Sequence, residues 1–143
     1  MSSPVSETND ILSLIPQRPP ILMVDCYGYE DELNCHSSKT ITKDNLFLDE
    51  TGHLGVEGIL EHIAQTAAAH IGYIRKQTGE EVSLGYIGDI KRCAVTGDMP
   101  TAGETLLTRM AVTSQVGSIT LVSAETSTSN GPILNCRMKL ANE

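Results

Sequence analysis

Apolar side chains between Val56 and Thr78 recur at three- and four-residue steps: Val56, Ile59, Leu60, Ile63, Ala64, Ala67, Ala68, Ile71 and Ile74. That period belongs to a helix with one buried stripe and predicts a single long helix over 56–78. Arg75 and Lys76 suit its last turn, and Gly79 suits its C-cap. Glu61 falls among the apolar positions, between Leu60 and Ile63. A glutamate is rarely buried without a partner or a purpose. Apolar surroundings push a carboxyl pKa upward, toward the range useful for acid–base chemistry near neutral pH. Glu61 is therefore the first candidate for chemistry. The plainer alternative is a helix residue that faces solvent or pairs with Lys91 or Arg92.

Outside the helix the pattern is that of strands. Asp10 can cap a short turn carrying Ile11, Leu12, Leu14 and Ile15, which Pro16, Pro19 and Pro20 then end. Residues 21–29 and 33–41 read as a strand and its return, joined by an acidic turn at Glu30-Asp31-Glu32. A loop over 45–55 delivers the chain to the helix. Residues 82–95 form the next strand, where Gly85 and Gly88 imply a bulge or a close backbone approach. A turn at 99–104 leads to a strand at 105–113. Residues 118–127 and 133–140 form a last hairpin around Ser129-Asn130-Gly131-Pro132. Two strands, one dominant helix and four more strands predict an α+β class, with an antiparallel sheet packed on the helix. Residues 10–143 form one domain behind a flexible segment at 1–9.

Composition narrows the function. The chain has 143 residues, 40% of them apolar, with one Phe and no Trp, so aliphatic side chains must do most of the packing. A net charge of −8 argues against a broad nucleic-acid surface, which needs clustered Lys and Arg. The opening MSSPVSETND is polar and is not a signal peptide. No apolar stretch reaches membrane-spanning length. Cys26, Cys35, Cys93 and Cys136 show no CxxC pairing and no zinc-like spacing with His. Cys26 and Cys35 would face each other if the chain turns tightly at Glu30-Asp31. The reduced, cytoplasmic setting is expected, with no metal or organic cofactor called for.

Four segments carry a family resemblance. Leu14 to Asp25, LIPQRPPILMVD, resembles the LPHRxPxLLVD opening of the β-hydroxyacyl-acyl-carrier-protein dehydratases, the FabZ/FabA hotdog family. Glu61-His-Ile-Ala-Gln65 resembles that family's E-x-x-A-Q helix motif. Leu84 to Lys91 resembles its sheet segment, and Pro100 to Leu106 its P-x-x-G-[DE]-x-L turn. The four pieces come in the family's order and span nearly the whole chain.

The resemblance implies a hotdog fold, a sheet wrapped around the long helix, with two units joined edge to edge. It implies removal of water from a 3-hydroxyacyl thioester on acyl carrier protein or coenzyme A. In that family a His of one subunit works with the helix Glu of the other, so His53 and Glu61 are the expected catalytic pair. Gly58 would sit near the oxyanion site at the helix N-terminus. Val56, Ile59 and Ile90 would line an acyl tunnel. Gln65, one turn after Glu61, could hold its carboxyl or serve under the sheet, and Lys91 could meet a phosphate. His62 projects about 100° from Glu61 and is expected at a surface or interface.

The sequence also departs from the family pattern. The loop from Gly52-His53-Leu54-Gly55 to Glu61 is shorter than the family's GHFP-type loop and lacks its prolines, and Gln17 stands where His is common. These features resemble the dehydratase-like subunits of aryl-polyene clusters, which can pair with a second hotdog protein. The dimer is therefore expected to be homo- or heterotypic, with a higher oligomer as a further alternative. The rival functions are a non-catalytic hotdog partner subunit and a hotdog thioesterase.

Overall fold

The structure, a computed structural model, describes residues 6–8, 10–79 and 85–142. In chain order these give β1 (Ser6–Thr8), a short 3-10 turn (Ile11–Ser13), β2 (Cys26–Asp31), β3 (Asn34–Thr40) and α1 (Val56–Gln77). Then follow β4 (Gly85–Val95), β5 (Thr105–Val116), β6 (Ile119–Thr128) and β7 (Gly131–Asn142). The strands form one antiparallel sheet in the order β1-β2-β3-β5-β6-β7-β4. The expected class, an antiparallel sheet around one long helix, is the observed one.

Period-two alternation decides which face meets the helix. Leu106, Thr108 and Met110 of β5, Val122, Ala124 and Thr126 of β6, and Leu134, Cys136, Met138 and Leu140 of β7 all point inward. They close on Ile59, Ile63 and Ala67 of α1. Because the sheet curls round the helix, α1 is enclosed on more than one stripe. His62, Gln65, Thr66 and His70 are buried along with the aliphatic positions, while Leu60, Ala68, Ile71 and Ile74 keep partial exposure. A hydrophobic period marks only the apolar part of such an enclosed surface, which is why His62 is a core residue and not the expected surface one.

Three boundaries differ from the sequence expectation. Ile21 to Asp25 is turn and loop, since the amides of Ile21 and Leu22 both bond back to the Arg18 carbonyl. The hairpin turn lies at Glu32-Leu33, where the Asp31 carboxylate accepts from the Leu33 amide at 2.8 Å. Cys26 is therefore opposite Ser38 and Cys35 opposite Tyr29, so the two cysteines do not face each other, and no disulfide joins any of the four cysteines. Ser6–Thr8 of the expected flexible segment pairs with β2, although no apolar pattern marks it. The register shift at Gly88 is the bulge its glycine implied. Residues 82–84 of the expected strand, including Leu84 of the sheet motif, lie outside the described residues.

The turn after β1 is locked to the far half of the helix. An added Cβ at Gly72 would stand 2.4 Å from the Leu14 carbonyl oxygen, a backbone atom that cannot swing away. Gly72→Ala gains helix propensity, about 1 kcal/mol, yet must push the two segments apart. Net destabilisation of about 1–3 kcal/mol is expected in urea unfolding; an Ala variant as stable as the parent would contradict this packing.

Candidate active site

The LIPQRPPILMVD segment and the first half of α1 meet through one glutamine. Gln65 Oε1 accepts from the Met23 amide at 2.6 Å. Its Nε2 donates to the Ile21 carbonyl at 2.9 Å and to Glu61 Oε2 at 2.7 Å. The amide is buried, and its acceptor and both donor hydrogens are occupied. Glu61 is thus half-buried and tethered through one oxygen, with its carboxylate beside the Ile21–Met23 loop. No ion pair joins it to Lys91 or Arg92 among the described residues, and Lys91 pairs with Asp89 at 2.9 Å.

His62 holds the same loop from the other side. Its Nδ1–H donates to the Met23 carbonyl at 2.6 Å, so Nε2 is the acceptor, facing Thr108 Oγ1 at 2.9 Å. The polar chain continues from Thr108 to Thr126 at 2.6 Å, and Ser37 meets Thr66 at 2.6 Å. These hydroxyls explain how a fully buried imidazole is tolerated beneath the sheet. Burial pushes its pKa down to about 4, against weaker opposition from the Met23 carbonyl bond. His62 is neutral and structural, and it positions the segment on which Glu61 abuts.

His53 stands apart, exposed in the loop before α1. Thr51 gives its hydroxyl hydrogen to Asp49 Oδ1 at 2.6 Å, so at 2.8 Å it accepts from His53 Nδ1–H. That tautomer leaves the lone pair on Nε2. The bonds from the Thr51 hydroxyl, the His53 amide and the Thr51 amide hold the Asp49 carboxyl below the usual carboxylate range, the first being the largest effect. Backbone bridges from Leu54 to Leu48 and from His53 to Thr101 fix the loop. Within one chain no hydrogen bond joins His53 to Glu61 among the described residues.

The other expected site residues separate into two groups. Val56, half-buried in the first turn of α1, and Ile90, 37% exposed on β4, are accessible. Ile59 is fully enclosed in the core, packed where the sheet curls over the helix, and lines no open surface in the single chain. The Gly58 amide is taken by the Gly55 carbonyl at 3.0 Å, and an added Cβ there would meet Phe47 at 2.7 Å. Gly58 therefore serves close packing, and its N–H is already engaged within the chain. Among the described residues the amides of Val56 and Glu57, ahead of it, bond to no backbone carbonyl, and Gly55 supplies no side-chain cap. Arg18 spends its guanidinium on the carbonyls of Leu12, Ile15 and Gln17. Asp49, Thr51 and the Met23 peptide are the participants that sequence reasoning missed. The spacing Asp49-x-Thr51-x-His53 was a legible signal of the first two.

A family model described as ApeP-like, ApeP dehydratase, matches residues 9–142. The chain belongs to the ApeP-like family. A chain of the dehydratase heterocomplex ApeI:P from Xenorhabdus doucetiae is similar in structure, with a TM-score of 0.82 at 20% identity, covering 93% of this chain and 90% of that one. The PaaI protein from the phenylacetic acid degradation operon of E. coli superposes with a TM-score of 0.60 at 13% identity, over 78% of this chain and 77% of its own. The putative thioesterase yhdA from Lactococcus lactis does so with 0.62 at 11% identity, over 96% and 89%. No curated protein matches. At these identities the structural likeness shows the fold, a hotdog, and the family match shows a dehydratase lineage. Among the described residues no helix is long and apolar enough to cross a membrane, and no cluster of three His, Cys, Asp or Glu side chains could hold a metal ion.

The buried imidazole gives the family member a pH signature. Unfolded His62 takes a proton near pH 6.5, whereas folded His62 takes one only near 4. Between these values the unfolded state binds more protons, so this contribution is complete above 6.5 and is lost as pH falls toward 4. Urea unfolding should lose on the order of 1.4 kcal/mol per pH unit from this group, with a shallower slope between pH 6.5 and 5 in His62→Gln. A parent whose stability is flat through that window would contradict the assignment.

Proposed function

We propose that the chain is a hotdog subunit that removes water from a 3-hydroxyacyl thioester, on acyl carrier protein or coenzyme A, within a dimer. The Glu61 carboxylate carries this reading. It is tethered by Gln65, partly open, and set beside a pinned loop in a chain of dehydratase lineage. Dimerisation through β4 is supported by that strand's surroundings. Asp89 to Thr96 are exposed on both faces, Val95 by 52%, and the outer edge of β4 pairs with no described strand. A long open edge with apolar side chains is a template for another strand.

Across such a dimer His53 of one subunit would face Glu61 of its partner. The Nε2 lone pair takes the proton beside the thioester carbonyl, and that C–H electron pair becomes the new C=C bond. The C–O bond to the β-hydroxyl breaks as Glu61 hands over a carboxyl proton, releasing water and the trans-2-enoyl thioester. The proton left on His53 returns to Glu61 through solvent, which resets the pair. The uncapped N–H groups at the start of α1 suit the enolate-like oxygen formed on the way. Val56 and Ile90 would border the acyl chain, with Ile59 as backing, and Lys91 would compete with its Asp89 pairing for any phosphate.

A mixed dimer is favoured as a second arrangement by the likeness to the ApeI:P heterocomplex. The chain would then act only when paired with a different hotdog subunit. The experiment is enoyl formation from a 3-hydroxyacyl-carrier-protein thioester, by the chain alone and mixed with such a subunit. Glu61→Gln keeps a partner for Gln65 but has no proton to give, so the rate should fall by about 10²–10⁴ with the fold intact. Asp49→Asn, which weakens the hold on Thr51 and His53, should lower kcat more than it changes KM. Full activity in Glu61→Gln, in whichever dimer is active, would refute the proposal.

A further inference from the structure

The outer face of the sheet, away from α1, carries a trough that the dehydration chemistry does not use. Its volume is about 490 Å³, within the range of small-molecule pockets. Arg92, Arg109 and Arg137 border it, three of the five arginines on a chain of net charge −8. Ala111 and Ser123, neighbours across β5 and β6, leave its floor low.

Register explains how the arginines come together. Residues directly opposite in a ladder share a face. Ser123 is opposite both Ala111 and Arg137, and Arg137 is opposite Arg92 on β4. Arg92 reaches this face because β4 shifts register between Ile90 and Arg92, with Lys91 as the extra residue. In unbroken register position 92 would stand opposite Cys136, on the helix side; a bulge re-aims it outward. The consequence is two like charges directly opposite each other, an arrangement that destabilises a sheet when nothing neutralises it. Arg109 lies two strands across and two residues along from Arg137, roughly 12 Å, within the combined reach of two arginine side chains.

Carboxylates among the described residues do not neutralise the trio. Among the described residues none of the three guanidinium groups has a hydrogen bond or ion pair. Glu30, also at the trough, is engaged by His36 at 2.9 Å. Glu125 stands opposite Arg109 and leaves the other two uncompensated.

We propose that this trough binds the phosphoryl group of a small molecule, clamped between Arg92, Arg109 and Arg137. Guanidinium groups match phosphoryl oxygens in paired, planar contacts. The polar Ser123 and Asn135 at the wall suit hydroxyl or amide groups on the rest of the ligand. Edge pairing through β4 would use backbone groups and leave this face open. The site is independent of the Glu61 chemistry on the other side of the sheet.

Calorimetric titration of the full chain with inorganic pyrophosphate, at fixed ionic strength with chloride as control, tests the site. One saturable site per chain is expected. Arg92→Gln and Arg137→Gln should each weaken it about tenfold or more, and Lys43→Gln should leave it unchanged. In ligand-free protein Arg137→Gln should melt at or above the parent temperature, because a like-charge contact is removed. Pyrophosphate binding no stronger than the chloride control, or equal in the arginine variants, would overturn the proposal. So would tighter binding of hexaglutamate than of pyrophosphate, which would mark the trough as a surface for an acidic protein.

Discussion

The peptide group of Met23 is the point on which the site depends. Its N–H enters Gln65 Oε1 and its carbonyl receives His62 Nδ1–H, so side chains three residues apart on α1 grip both sides of one residue. A loop with no ladder of its own is thereby attached to the helix as firmly as a strand would be. Buried amide and imidazole bonds of this kind are costly to break, since each leaves an unsatisfied partner away from water. The remaining Gln65 hydrogen goes to Glu61, so the bond that orders the loop also orients the carboxylate.

This arrangement requires a helix that is buried on polar as well as apolar sides. The curled sheet provides it by placing Ser37, Thr108 and Thr126 where His62 and Thr66 need partners. At the other end Tyr27 donates to His70 Nδ1, while His70 Nε2–H reaches the Glu32 carbonyl at 2.8 Å. The same sheet keeps its functions apart by face. Inward positions hold the helix and its carboxylate, outward positions carry the arginine trough, and the outer edge of β4 pairs with no described strand.

Much of the architecture was legible because its signals are periodic or glycine-marked. The long helix, the final hairpin and the Gly88 bulge lie where the pattern placed them. The start of β2 was not, because a proline-rich apolar run reads as extended chain whether or not it joins a ladder. His62 was missed because partners at Met23 and Thr108 are distant in sequence, and only those partners make a buried imidazole affordable. Gly58 looked like an oxyanion donor by motif position, whereas the turn at Gly55 had already claimed its amide. The contact between Glu61 and Gln65 was legible since a four-residue spacing is a local property of a helix.

Amide hydrogen exchange at Met23, followed by NMR in the parent and in Gln65→Leu, tests the central clamp most directly. The account predicts protection comparable to the sheet core in the parent, although residue 23 lies in no strand, and rapid exchange at that amide in the variant while the sheet stays protected. A Met23 amide that exchanges in the parent as fast as the exposed loop at 42–44 would contradict it.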